Sequence, residues 1–359
     1  MKSSRRSKKE KGILYGEGSF GCVFTPSPKC EGNETFFTNK KIETAEVAKL
    51  FVKKEDYELE KDASLIMANI DKKGKTLMYP NSGCTTTYKK VFKVPVAKGC
   101  DELSHLKMIY GENAEVYMMK MPYGGIPLDK YVRDNEMNVK QFLKAMLPVY
   151  EGISKIRRAK YCHQDIKSSN VLMRTDGQYK DQAWIIDYSL IEPLNKVYNH
   201  ENRRRLRHTY FPYPPEYKLY TWLKEPKNIQ IPATREDCVP FEKVLENIFH
   251  FGNTEGTNYF KFHDRVLSHA QILEIYYTMV NIKNNKYLTE WLTEQSAPKV
   301  DIYGTGMVHV ELDKLLSREG LSDAYLKKYN TFIAKCTHPD FRKRYTAQGA
   351  YTAAKKLAV

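Results

Sequence analysis

The sequence predicts an α+β fold with a strand-rich N-terminal part and a larger, mainly helical C-terminal part. Strand-like apolar runs broken by turn residues dominate the first part, as at 13–24, 46–52 and 116–121. Farther along, residues 138–160 have apolar side chains at helical spacing. The positions on that face are Phe142, Met146, Val149, Ile153 and Ile156.

Composition bounds the class of protein. The chain has 359 residues, 42% of them hydrophobic, which is enough for a sizeable core. No run approaches the roughly 18 apolar residues of a membrane span. Residues 1–11 are basic and no apolar segment follows them, so they predict a disordered tail rather than a secretory signal. The net charge of +15 favours acidic or phosphate-bearing partners. Nucleic-acid contact by the tail stays open, because no nucleic-acid-binding motif supports it.

The seven cysteines predict a compartment. They stand at positions 22, 30, 84, 100, 162, 238 and 336. No Cys-x-x-Cys pair or metal-ligand spacing occurs, and the count is odd. Without a secretion signal, reduced thiols and a cytoplasmic protein are the expectation, with the nucleus as an alternative.

The most informative stretch is 161–189. It contains the pattern His-x-Asp-x-Lys-x-x-Asn, a polar break, and an Asp after an apolar strand. Phosphoryl transfer from a nucleotide needs a carboxylate that orients the attacking hydroxyl and a cation that neutralises the transferred group. It also needs an amide and a second carboxylate that hold magnesium. Asp165, Lys167, Asn170 and Asp187 match these roles in that order. The alternative interpretation is a polar loop before a buried strand with a chance Asp.

A Gly-rich hairpin is predicted near the start of the chain, because apolar residues flank a turn at 16–21. Glycines let the backbone approach phosphates, to which successive amides can donate. An ordinary Gly-rich hairpin is the alternative. The candidate cofactor-binding residues of this hairpin are Gly16, Glu17, Gly18, Ser19, Phe20, Gly21 and Val23.

An interior lysine on the strand 46–52 needs an anionic partner. Lys49 is the candidate, with Lys53 as the alternative. Residues 55–70 have helical spacing, and Glu60 faces inward on the helical wheel whereas Glu58 lies nearer the exposed side. Glu60 is therefore the predicted partner, and surface charges on a helix are the alternative interpretation.

At these residues the chain resembles the eukaryotic-type protein kinase superfamily. The resemblance implies a bilobal fold, ATP and Mg²⁺ as cofactors, and transfer of the γ-phosphate to protein hydroxyls. Lys167, two residues after the Asp, resembles the serine/threonine class. Asp187-Tyr188-Ser189 replaces Asp-Phe-Gly and is similar to the haspin pattern. In its looped-out segments the chain resembles kinases of large DNA viruses. For such a kinase the host cytoplasm or the virion would be the location.

The resemblance also implies roles and boundaries. The kinase domain would cover 12–359, with an N-lobe at 12–123 and a C-lobe at 124–359. Lys49 and the Gly-rich turn would contact the ATP phosphates, and Glu60 would hold Lys49. In the hinge, Pro122 has no N–H, so Gly124 would donate its amide to adenine. Asn170 and Asp187 would bind the metal, and Thr209 would bridge Asp165 and Lys167.

The C-terminal part follows the family pattern in some places and departs from it in others. Gln164 stands where many kinases carry an Arg that binds a phosphate, so activity is not expected to depend strongly on such phosphorylation. Glu216, after Pro-Pro, is expected to form a buried ion pair with Arg344. Asp301 is expected to hold the catalytic-loop backbone, with Asp237 as the weaker candidate. Residues 217–299 then form an insertion.

Substrate and alternatives remain open at the level of sequence. Protein substrates are expected, and the Arg run 203–207 would favour acidic segments unless it is only a solvated charge run. A pseudokinase scaffold with the same fold is one alternative. A small-molecule kinase of the aminoglycoside or choline type is another, although those lack the features at Thr209 and Glu216.

Overall fold

The computed structural model describes residues 12–18, 21–28, 31–36, 46–175, 177–198, 213–223, 274–279 and 285–359. The chain divides into two compact units. Unit 1 comprises residues 1–74 and 78–125, and unit 2 comprises 75–77 and 126–359. No helix among these described residues is long and apolar enough to cross a membrane.

Unit 1 is built on an antiparallel sheet of six strands in the order β1-β2-β4-β6-β5-β3. The strands are β1 (Ile13–Gly18), β2 (Gly21–Thr25), β3 (Glu31–Thr35), β4 (Glu46–Phe51), β5 (Ser82–Thr87) and β6 (Glu115–Pro122). The helices are α1 (Lys54–Ile70), α2 (Tyr88–Val91) and α3 (Asp101–Tyr110), with a 3-10 turn at Pro95–Gly99.

The core of unit 1 lies between the sheet and the segment that contains α2 and α3. Phe24, Leu50 and Met118 project from neighbouring strands into one buried cluster with Val91 and Leu103. Two local expectations differ from the structure. The Pro, Gly, Asn and Lys residues of 26–42 predict a loop, but this segment contains β3, and residues 88–96, which have a strand-like pattern, are mostly helical turn. Both differences arise because packing on the sheet decides the backbone of short apolar segments.

A disulfide bond joins Cys22 and Cys100, so the prediction of reduced thiols is wrong for this pair. Cys84 is disulfide-bonded too, whereas Cys162 and Cys336 are free and buried. Cys22 lies on β2, and Cys100 directly precedes α3, 78 residues later. Packing of α3 against β2 brings the two sulfurs together. A count of cysteines could not reveal that proximity.

Unit 2 is mainly helical. Its longer elements are α4 (Leu128–Asp134), α5 (Val139–Ala145), α6 (Leu147–Arg158), α7 (Pro215–Leu223), α8 (Asn285–Gln295), α9 (Val300–Leu312), α10 (Asp323–Cys336) and α11 (Ala347–Ala358). Short strands form two small sheets, β10-β9-β7 and β11-β8. These strands are β7 (Ile126–Pro127), β8 (Tyr161–Cys162), β9 (Val171–Met173), β10 (Ala183–Ile185) and β11 (Glu192–Pro193).

The helix predicted at 138–160 is present as α5 and α6, with a break at Met146. Pro148 stands in the first turn of α6 and has no N–H to continue the preceding helix. All five residues predicted to share its apolar face are buried. Within the predicted insertion 217–299, the residue pattern is helical at 241–251, which lies outside the described residues, and at 270–281, of which only 274–279 is described, as helix.

Helix α9 is the centre of unit 2. Twelve of its 13 residues are buried, so it is a core helix without a polar face. Gly304 lets it pack closely: a Cβ there would lie 2.9 Å from the carbonyl oxygen of Ile166. The helix therefore lies directly against the loop that follows β8. The predicted α+β fold class is confirmed by this strand-rich unit 1 and helical unit 2.

Candidate active site

Helix α9 anchors the loop that follows β8. The Asp301 carboxylate accepts hydrogen bonds from the backbone N–H groups of His163 and Gln164, both at 2.8 Å. The Cys162 thiol donates to the same carboxylate at 3.4 Å, because burial and this neighbouring charge raise the pKa of Cys162 and keep it protonated. The prediction that Asp301 holds the catalytic-loop backbone is thus confirmed, and the rival Asp237 lies outside the described residues.

Three of the predicted catalytic residues meet within this loop. The Lys167 Nζ lies 3.2 Å from Asp165 Oδ2. The Asn170 amide donates to the same oxygen at 2.7 Å and to the Asp165 carbonyl at 3.0 Å. Asp165 is buried, while the Lys167 side chain is one-third exposed. A buried carboxylate held from two sides has a defined orientation, as a group that positions a hydroxyl requires.

Asp187 follows β10, in a segment that is hydrogen-bonded to the loop containing Asn170. The N–H of Ile186 donates to the Asn170 carbonyl at 3.0 Å, so the two predicted metal ligands belong to adjoining backbone segments. Asp187 has a φ of 62°, in the left-handed region that non-glycine residues rarely occupy. Such strain persists only where the surroundings impose it, and it is concentrated at functional sites.

The donor atoms of Asn170 and Asp187 suit magnesium, since Mg²⁺ prefers amide and carboxylate oxygens together with phosphate and water. The Asn170 Nδ2 is directed toward Asp165, which leaves the amide oxygen as the group for a cation. Among the described residues, no group of three or more His, Cys, Asp or Glu side chains is arranged for a metal. The predicted site would use one Asp and one Asn, so it would not be counted among such groups.

Gln164 links the loop to two other segments. It has a φ of 66° and is buried. Its side-chain amide donates to the Leu190 carbonyl at 2.8 Å, and its Oε1 accepts from the Tyr217 hydroxyl at 2.5 Å. Burial raises the pKa of Tyr217 well above its usual range, so the hydroxyl remains a donor. Sequence reasoning missed Tyr217, although its place directly after Glu216 was a usable signal.

In unit 1, the structure decides between the alternative Lys and Glu candidates. Lys49 on β4 lies 3.3 Å from Glu60 on α1, and both side chains are largely buried. Lys53 is exposed, and Glu58 forms a 3.8 Å contact with Lys61 at the surface instead. The predicted Lys49–Glu60 pair is present, and it presents a fixed ammonium on the sheet.

The Gly-rich turn is described in part. Gly16, Glu17 and Gly18 belong to β1, and Val23 on β2 is paired with Lys49 across the sheet. Gly21 has a φ of 138°, and a Cβ there would lie 1.8 Å from the Leu50 carbonyl oxygen. Glycine at 21 is therefore required by contact with β4. Ser19 and Phe20, predicted to lie at the tip of the turn, are outside the described residues.

The predicted hinge follows β6. This strand ends at Pro122, which is paired with Glu46, and Gly125 has a φ of 103°. Tyr123 packs against Tyr15, with 5.0 Å between the ring centroids. The assignment of the Gly124 amide as an adenine donor remains a prediction.

The predicted pair between Glu216 and Arg344 is confirmed. The guanidinium contacts the carboxylate at 2.8 and 3.1 Å, and both side chains are fully buried. Ser296 donates to Glu216 at 2.8 Å, and the His338 carbonyl accepts from Arg344. This network fixes the start of α7. Thr209 and the Arg run 203–207 lie outside the described residues, so nothing in the structure bears on them.

Comparisons with known proteins give a weak and purely structural likeness. No protein-family model matches the chain, and no curated protein matches it. Among solved structures, the chain is similar to the autoinhibited serine kinase domain of the giant muscle protein titin. That similarity has a TM-score of 0.43 and 12% sequence identity, and it covers 97% of this chain and 81% of the other.

Proposed function

We propose that this protein is an ATP- and Mg²⁺-dependent kinase that phosphorylates serine or threonine hydroxyls of protein substrates. The observation that carries the proposal is the contact of Lys167 and Asn170 with the Asp165 carboxylate. These residues lie on a loop anchored by Asp301. A scaffold would need none of these contacts. Each of them serves the orientation of a hydroxyl and the neutralisation of phosphate charge.

The residues would divide the work as follows. Asp165 accepts a hydrogen bond from the substrate hydroxyl and orients it for attack. Lys167 neutralises charge on the transferred phosphoryl group, as Lys49 does on the other phosphates of the nucleotide. Asn170 and Asp187 would hold Mg²⁺, which supplies neutralisation of phosphate charge. A positioned base of this kind contributes about 10²–10⁴-fold to the rate.

The assignment to the serine/threonine class rests on Lys167, two residues after Asp165, and on the resemblance that includes Thr209. The position of Lys167 beside the Asp165 carboxylate supports it, because a lysine there can bind the phosphoryl group while the hydroxyl is held. Acidic segments remain the proposed substrate preference, in keeping with the net charge of +15.

The test is transfer of labelled γ-phosphate from ATP to the protein itself and to a panel of acidic and basic proteins. We expect label on serine or threonine, and its loss in Asp165→Asn, Asp187→Asn and Lys49→Met. The matched control is Lys53→Met, which removes an exposed lysine close by and should retain activity.

Two other results would contradict the proposal. ATP binding without label on any protein would favour a pseudokinase scaffold. Label that appears only on small alcohols or amines would favour a small-molecule kinase. Equal loss in Lys53→Met and Lys49→Met would remove the basis for the assignment of Lys49.

A further inference from the structure

Three consecutive large side chains are exposed at the end of α3. Met108, Ile109 and Tyr110 are 75%, 68% and 70% exposed, the highest values among the large hydrophobic residues of unit 1 that the structure describes. Single exposed hydrophobic residues are ordinary, but a contiguous group indicates an interaction site. We call Met108, Ile109 and Tyr110 the apolar tip.

Exposed lysines occur along the segment 89–107 that precedes this tip. Lys89, Lys90, Lys93, Lys98 and Lys107 are all exposed, and we call them the basic flank. Stacked rings hold part of it in a row: Lys107 lies over Tyr88, Tyr88 stacks on Phe92, and Lys98 lies over Phe92. The backbone N–H of Lys89 donates to the carbonyl of Glu112, in the turn that follows the tip.

The acidic groups nearby are few. Glu112 pairs with Lys107 at 3.3 Å. Asp101 and Glu102 stand in the first turn of α3, at the end of the helix away from the tip, about 15 Å along a ten-residue helix. Over residues 88–112, five lysines stand against three acidic residues, so this segment is positively charged on balance.

The arrangement of the three side chains of the tip favours a fluid partner over a groove on another protein. Successive residues of a helix are about 100° apart, so the three side chains cover about 200° around its end. A helix that docks into a groove presents anchors at spacings of three and four. Consecutive exposed side chains suit a medium that surrounds the helix end. Tyrosine favours the boundary between water and lipid, and lysines attract anionic headgroups.

We propose that the apolar tip and the basic flank bind the surface of an anionic membrane. The tip inserts at the level of the headgroups, and the flank contacts phosphate and carboxylate groups of the lipids. Neither contribution is strong alone, and stable attachment takes two such signals. This peripheral attachment is independent of any kinase activity.

Co-sedimentation of the full chain with vesicles tests the proposal. We expect binding to phosphatidylcholine vesicles that contain phosphatidylserine, weakening as salt is added, and little binding to phosphatidylcholine alone. The variant Met108→Ser/Ile109→Ser/Tyr110→Ser should lower the partition coefficient about tenfold or more. Its matched control is Tyr287→Ser/Leu315→Ser, which removes exposed apolar side chains of unit 2 and should bind as the wild type does.

Charge is tested in parallel. Lys89→Glu/Lys93→Glu should weaken binding and reduce its dependence on salt. The control Lys327→Glu/Lys328→Glu makes the same change of net charge on exposed residues of α10. Equal weakening by both pairs would show attraction by net charge alone, and would overturn the proposal.

A second measurement does not depend on the triple variant. Tyr110→Trp places an indole at the tip, and its emission should shift to shorter wavelength with anionic vesicles. An unchanged emission would overturn the proposal, as would a triple variant that binds like the wild type. Wild-type protein that stays in the supernatant with both kinds of vesicle would also overturn it and would point to a protein partner for the tip.

Discussion

Replacing Glu216 by Gln should strongly destabilise unit 2. The substitution keeps the size of the side chain and removes its charge. In the native structure the Arg344 guanidinium donates two hydrogen bonds to the Glu216 carboxylate, at 2.8 and 3.1 Å, and neither side chain is exposed. Glutamine would turn one of these contacts into an encounter of two donors. The guanidinium would then be buried without a counter-charge.

The magnitude follows from these contacts. A hydrogen bond to a charged group contributes about 1.5–3 kcal/mol. Glutamine retains one acceptor, and the carbonyl of His338 continues to accept two hydrogen bonds from Arg344. The stacking of the guanidinium on Tyr303, 4.9 Å from the ring centroid, is also retained. Breaking a buried pair by removing one partner typically costs about 3–5 kcal/mol, and we expect a loss in the free energy of unfolding within that range.

Urea unfolding followed by circular dichroism measures the effect. The matched control is Arg318→Met, which breaks the ion pair with Asp313 at the surface, where the Arg318 side chain is 45% exposed. Exposed pairs contribute about 0–1 kcal/mol, so this control should unfold almost as the wild type does. A third variant, Glu216→Leu/Arg344→Met, removes both charges and should be more stable than Glu216→Gln.

A cost below about 1 kcal/mol for Glu216→Gln would refute the reasoning, because it would mean that Arg344 finds other compensation or that water enters. A double variant less stable than Glu216→Gln would refute it as well. That result would show that the geometry of the network, rather than an uncompensated charge, determines the stability.

Three further predictions concern His309, Tyr217 and Asp301. Burial lowers the pKa of His309 to about 3, so the unfolded chain takes up a proton first as the pH falls below about 6.5. Stability should therefore decline toward pH 3, by about 2 kcal/mol from this group at pH 5, and urea unfolding of His309→Gln should lack that part of the decline. Tyr217→Phe removes the hydrogen bond to Gln164 and should lower kcat with little change in the KM for ATP. Asp301→Asn replaces an acceptor of the catalytic-loop amides with a donor and should lower kcat on the order of 10–100-fold in the labelled-phosphate assay.

Each of these has a contrary result. A wild-type protein and His309→Gln that lose stability in parallel between pH 7 and 5 would show that other groups dominate. Tyr220→Phe, on the same helix, loses a bond to the Tyr198 carbonyl and should keep its activity; if it behaves as Tyr217→Phe does, general loosening of α7 is responsible. Asp313→Asn is the control for Asp301→Asn, and equal activity in the two would deny Asp301 its role.

Much of the fold was readable because its signals are local. Alternation and turn residues located the first hairpin, and helical spacing located the helices at 54–70 and 139–158. The break at Met146 could have been read from Pro148. The strand β3 could not, since its residues acquire strand structure only through pairing with β5.

The candidate site follows the same division. The residue types at 165, 167, 170 and 187 indicated a chemistry, and the spacing of the first three within one short loop restricts where their side chains can lie. The sequence already favoured Lys49 over Lys53 and Glu60 over Glu58, and the folded sheet and helix show that Lys49 and Glu60 are paired while Glu58 contacts Lys61. The bond from Tyr217 to Gln164 joins residues 53 positions apart, and no local pattern announces such a contact.

Chain-distant contacts were decided by packing alone. Cys22 and Cys100 form a disulfide because α3 packs on β2, and an odd cysteine count had suggested reduced thiols. The exposure of Met108, Ile109 and Tyr110 likewise appears only once Leu103 and Leu106 of α3 are packed in the core. Local sequence restricts backbone conformation and chemical type over a few residues. Which distant side chains meet, and which remain at the surface, depends on how the whole chain buries its apolar groups.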